Sequence, residues 1–211
     1  MSMKMFLPLT ILTLLLGSYS YEILYSSILL NEFIEEPVQV NFDEPLFLTI
    51  DGKDQEVELE LLASYDLHAI VKSVNYFEED LAAQISPIDL ALAWGDINNP
   101  SIDKYVEYSQ KDRWYFFSVN VKAPVPIEYV DYYSANTHLV PANLQVKEVL
   151  MNVDEEDYIH LTGYLINAYF ENGYWKTSLL RSDTGDGSCE IMYVTHVSLT
   201  KAATPPKSLL D

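Results

Sequence analysis

Alternation of apolar and polar positions runs through much of the chain. In residues 57–63 (VELELLA), Val57, Leu59 and Leu61 share one face and Glu58 and Glu60 the other, the period-two pattern of a half-buried strand. Residues 68–77 (HAIVKSVNYF) and 113–122 (RWYFFSVNVK) are similarly strand-like, and the prolines within 123–126 end the latter. The last third is the clearest β region, with strands over 158–170, 174–182 and 190–199. Glu171-Asn172-Gly173 joins the first two, and its Asn-Gly pair signals a hairpin. A shorter strand over 46–50 closes at Asp51-Gly52.

Helical signals are fewer. Ser86 can cap and Pro87 suits a first helical position, so Ile88, Ala91, Leu92, Ala93 and Trp94 predict a short apolar helix. Asn98-Asn99-Pro100-Ser101 breaks it, and 102–108 adds a turn or two. Residues 132–143 (YYSANTHLVPAN) follow neither period and read as an ordered loop. Residues 144–153 predict a helix with Leu144, Glu148 and Val149 on its inner stripe. The sum is an α+β class: a strand-dominated single body over 46–200 with two or three short helices. A helix, then a long strand with the central glycine Gly163, then a hairpin is also the order in OB-like barrels. An OB-like or other small β-barrel core is one way to close such a body.

The N-terminal pattern is different. Lys4 precedes an uncharged run over 6–16 (FLPLTILTLLL), and Ser18-Tyr19-Ser20 offers small residues at a cleavage site, so residues 1–20 read as a signal peptide. Residues 21–30 (YEILYSSILL) are apolar apart from Glu22, so an uncleaved anchor reaching residue 30 is the competing expectation. Residues 31–45 are acidic and proline-punctuated, the pattern of a linker, and 201–211 form a frayed tail. The expected location is extracytoplasmic, periplasmic or secreted, with anchorage to the inner membrane by residues 6–30 as the alternative.

Composition sharpens this picture in three ways. Sixteen tyrosines beside 8 Phe and 3 Trp favour strands. Thirty-two acidic against 12 basic residues give a formal charge of −20, which repels phosphate backbones and argues against nucleic acid as a partner. The single cysteine, Cys189, excludes an intramolecular disulfide and a lipid anchor at the export signal.

Candidate chemistry is sparse. Asp183-Thr184-Gly185 matches the aspartic-protease triplet, but it occurs once, follows Arg181-Ser182 and reads more simply as a polar loop. Asp183, Asp186 and Glu190 offer oxygens to calcium, although glycines at positions three and five break the EF-hand pattern. His68, His138, His160 and His196 show no metal-type short spacing, so the sequence points to no metal site and no cofactor, and His160 and His196 are expected at strand surfaces or edges. Cys189, His138 and Asn136 include the residue types of a thiol hydrolase, whereas Cys189 at a strand start also suits simple packing.

Several blocks resemble those of a family of uncharacterised bacterial envelope proteins. They are Ser86-Pro87-Ile88-Asp89-Leu90-Ala91 with Trp94-Gly95, then Ser109-Gln110 and Arg113-Trp114-Tyr115, then Ser134-Ala135-Asn136-Thr137-His138 with Pro141-Ala142. Gly163-Tyr164-Leu165 and the 178–190 block (SLLRSDTGDGSCE) complete the match, with Tyr133 departing from an expected histidine. The resemblance implies an N-terminal apolar segment, an exported single domain and no assigned activity. The site expected from these residues joins Arg113, Asn136, His138, Arg181 and Asp183, with Gln110 beside them. The leading expectation is a non-enzymatic module that binds a protein or small molecule of the envelope. The alternative is a hydrolase using His138 with Asp183 or Cys189.

Overall fold

The computed structural model describes residues 34–180 and 189–202. Its centre is β2 (Glu56–Tyr76), a 21-residue strand in which Val57, Leu59, Leu61, Ala63, Tyr65, Leu67, Ala69 and Val71 point inward. β1 (Val38–Asp51) lies antiparallel along one stretch of it. β3 (Ile88–Ala93) pairs with the C-terminal end of β2 and with β6 (Ser134–Pro141). β6 runs parallel to β9 (Glu190–Thr200), β9 antiparallel to β7 (Tyr158–Phe170), and β7 antiparallel to β2. The pairings β2–β3–β6–β9–β7–β2 therefore form a circuit, with the strand number of the small OB-like core anticipated above. β8 (Gly173–Lys176) extends the sheet beyond β7. A separate hairpin, β4 (Val106–Lys111) and β5 (Trp114–Val119), makes a two-stranded sheet.

The main core lies inside this circuit: Leu67, Leu90, Leu92, Leu139, Leu161 and Leu165 are fully buried together. Gly163 is required there, because a Cβ on it would sit 2.0 Å from the Tyr193 carbonyl oxygen. The β7–β9 register shifts at the same point, between Thr162 and Gly163, so the strand turns where the glycine admits a close backbone approach. The helices are short: α1 (Pro100–Asp103), α2 (Ile127–Tyr133) and α3 (Leu144–Leu150). Asn143 caps α3 by accepting a hydrogen bond from the Val146 amide at 3.0 Å. No helix of the described residues is long and apolar enough to cross a membrane.

The fold departs from the sequence expectations at several elements. The expected 31–45 linker is not one over its described residues: Ile34 is buried in the main core and β1 begins at Val38. Pro45 is accommodated within the register shift between Asn41 and Leu46, where an edge strand tolerates a missing donor. Residues 88–93 form a strand, not a helix: β3 is buried at all six positions between β2 and β6, and such a short apolar run carries no decisive period. The 132–143 loop contains the end of α2 and all of β6, whose inward polar groups hide its strand period. In α3 the buried stripe is Val146 and Leu150, four residues apart, while Leu144 is exposed.

Candidate functional site

Asp89 lies in the middle of the blocks singled out from the sequence, and it is fully buried. β3 and β6 pair so that Asp89 stands directly opposite His138, and Ala91 opposite Asn136. His138 Nδ1 lies 2.8 Å from Asp89 Oδ2, at ion-pair distance but without hydrogen-bond alignment. The other carboxylate oxygen, Oδ1, accepts from an Arg113 terminal nitrogen at 2.8 Å. A buried carboxylate is costly unless it is paired, and Arg113 supplies the partner for Oδ1.

Arg113 reaches Asp89 from an unusual backbone position. Lys111 pairs with Trp114, leaving Asp112 and Arg113 as a two-residue turn with φ of 51° and 63°. Both angles lie in the left-handed region, the type I′ pattern in which glycine and asparagine are the usual occupants. The guanidinium is held by four hydrogen bonds. Besides Asp89, Nε donates to Asp80 Oδ2 at 2.6 Å, while Nη2 donates to Asp80 Oδ1 and to the Ser86 carbonyl, each at 2.9 Å. Its flat face lies 3.8 Å from the Phe77 ring centre, with Trp175 at 5.3 Å on β8. Burial would raise the Asp80 carboxyl, but the Arg113 fork and the amides of Ala83 and Ala82 outweigh it and hold the group below the usual aspartate range.

The turn also fixes Asn136. Its side-chain amide donates to the Arg113 carbonyl at 3.1 Å and approaches Cys189 Sγ at 3.7 Å, while its oxygen accepts from Gln110 at 2.6 Å. Trp175 covers His138, with ring centres 4.5 Å apart. Of the five residues expected at the site, Arg113, Asn136 and His138 meet in one network; Arg181, Asp183 and the 183–188 loop lie outside the described residues. Sequence reading missed Asp89, Asp80 and Trp175 as members. Asp89 carried a signal, a lone acid within an otherwise apolar run, whereas Asp80 and Trp175 are brought in only by folding.

Arg113 and Trp175 also line an open groove of about 630 Å³. Its walls add the aromatic rings of Tyr76 and Phe77 and the carboxylates of Glu78, Glu79, Asp80 and Asp112. His138 and Asn136, 3% and 2% exposed, lie behind this wall and not in it. The network thus braces one side of a groove whose only basic lining residue among the described residues, Arg113, is already committed to protein acceptors. A ligand entering it meets rings and carboxylates.

No family model matches the chain, and neither a curated protein nor a solved structure does. The resemblance to envelope proteins rests on the sequence blocks alone.

Proposed function

We propose that this chain is an exported, non-enzymatic binding module whose groove takes an organic cation, an ammonium or guanidinium group. The supporting observation is the groove lining: Tyr76 and Trp175 with the acidic Glu78, Glu79 and Asp112, beside an Arg113 guanidinium already occupied by Asp80, Asp89, the Ser86 carbonyl and the Phe77 ring. Aromatic faces and carboxylates together favour a cation, and the groove volume falls within the range of small-molecule sites. The export reading rests on the 1–20 segment, with residues 6–30 as the competing membrane anchor. The charge of −20 supports a partner that is neither nucleic acid nor anionic lipid. Calorimetric titration with agmatine and with spermidine tests the reading. We expect saturable binding that weakens with salt and falls by about tenfold in a Glu78→Gln/Glu79→Gln variant. Binding of neither probe, or equal binding by that variant, refutes it.

A second reading is the hydrolase using His138 with Cys189 or Asp183, favoured by the His138–Asp89 pair and by the 3.7 Å approach of Asn136 to Cys189. Against it, His138 is 3% exposed, with no path for a substrate to its ring among the described residues. Hydrolysis of p-nitrophenyl acetate that is lost in His138→Ala would favour this reading over the first.

A further inference from the structure

We propose that Asp66, His68 and His160 form a binding site for a zinc-class divalent cation on the outer face of the β2–β7 pair. The two histidines are far apart in sequence, but the strand register places His68 directly opposite His160, with Asp66 opposite Thr162 and Ile70 opposite Tyr158. Neighbours on each strand alternate in direction. Leu67, Ala69, Ile159 and Leu161 are fully buried, so Asp66, His68 and His160 point the other way and remain partly exposed.

The ligand atoms are already gathered. One nitrogen from each imidazole and one Asp66 oxygen all lie within 4.8 Å of one another. Asp66 Oδ1 is 3.2 Å from His160 Nε2 and 3.6 Å from His68 Nε2. Ligands about 2.0–2.1 Å from a tetrahedral zinc ion are roughly 3.4 Å apart, so these two edges bracket the required value. The imidazole rings stack with centres 3.8 Å apart and planes 13° from parallel. Stacked rings aim their lone pairs side by side, so ligation of one ion requires the rings to turn out of the stack about χ2, a soft torsion for histidine.

Outer partners suit the same purpose. His68 Nδ1 is 2.5 Å from the Tyr158 hydroxyl, and a proton donated there leaves Nε2 free to ligate. Thr162 Oγ1 donates to Asp66 Oδ2 at 3.1 Å, leaving Oδ1 directed at the histidines. Two imidazoles and one carboxylate select a borderline ion such as Zn²⁺ over Mg²⁺ or Ca²⁺, which prefer all-oxygen sets. Three protein ligands leave a fourth position for water or another donor. This site shares no residue with the groove beside Arg113, so the two proposals stand or fall separately.

The test is calorimetric titration of the chelator-stripped full chain with ZnCl₂ in excess MgCl₂, which occupies exposed carboxylates but competes weakly for imidazole. We expect one zinc per chain and a rise in Tm with added zinc. His68→Ala, His160→Ala and Asp66→Asn should each weaken binding by at least about tenfold. All three alter partly exposed side chains, so their zinc-free melting curves should stay close to wild type, which separates lost ligation from lost folding. Absence of zinc binding under these conditions, or wild-type affinity in His68→Ala and His160→Ala, overturns the assignment.

Discussion

Replacing Arg113 by alanine isolates the interaction on which the groove wall depends. Its ion pair with Asp80 contributes little, because the Asp80 side chain is 43% exposed and solvent-facing pairs are worth about 0–1 kcal/mol. The stack on Phe77 adds about 0.5–2 kcal/mol. The larger effect is at Asp89, whose side chain is 0% exposed: removing one partner of a buried pair costs about 3–5 kcal/mol. In a chain of this size each kcal/mol moves Tm by about 2–4 °C, so Arg113→Ala should lower it by roughly 6–20 °C. A cycle with Asp89→Asn identifies the cause. If the cost comes from the orphaned carboxylate, Arg113→Ala should be much less damaging in the Asp89→Asn background, a coupling of about 2–3 kcal/mol by urea unfolding. Arg113→Gly should be milder than Arg113→Ala by about 1 kcal/mol, since glycine accepts a φ of 63° without the alanine penalty. Additive single-mutant costs, or an Arg113→Ala protein within 1 kcal/mol of wild type, would refute the argument.

Two further outcomes follow from other parts of the fold. Glu60 accepts hydrogen bonds from Tyr169 and Asn167, each at 2.7 Å, and the Tyr169 bond is the main cause of a carboxyl pKa below the ordinary glutamate value. That stabilisation is present above the unfolded-state value and lost as pH falls through the lowered folded-state value. Thermal melts should therefore separate Tyr169→Phe from wild type at neutral pH and converge as the pH falls through the lowered value; a gap that persists in strong acid contradicts this. Gly163→Ala should destabilise by about 1–3 kcal/mol, because its Cβ would meet the backbone oxygen of Tyr193; an unchanged urea midpoint would show that β7 and β9 can separate there without cost.

How far the sequence carries depends on whether a signal is local. The Val57–Glu58–Leu59–Glu60–Leu61 alternation predicts the buried face of β2 correctly, and 158–170 coincides with β7, because a half-buried strand writes its period into consecutive residues. The Glu171–Gly173 hairpin signal also stands, with Phe170 paired to Gly173. Where burial is two-sided that period disappears. β3 is buried throughout and β6 nearly so, and neither carries a strand period in its sequence. The polar residues of β6 make this concrete. Asn136 and His138 look like loop residues until Gln110, the Arg113 backbone and Asp89 arrive from other segments to pair with them.

The same distinction decides which chemistry could be anticipated. Arg113, Asn136 and His138 were legible as a group because each lies in a polar, side-chain-rich segment where an apolar residue would have served an ordinary core. Asp89, which faces both Arg113 and His138, sits inside IDLALA, whose local pattern predicts a helix. The histidine pair is the more extreme case. His68 and His160 each occupy a polar position of an ordinary alternating strand, and no spacing relates them along the chain. Antiparallel pairing sets them face to face, yet a shift of one residue in the β2–β7 register would offset the pair and send one imidazole toward the core. The register is itself fixed by burial of Leu67, Ala69, Ile159 and Leu161, since slipping it would expose them. The hydrophobic pattern that specifies the strand pair therefore also specifies the two-histidine, one-aspartate cluster on its other side.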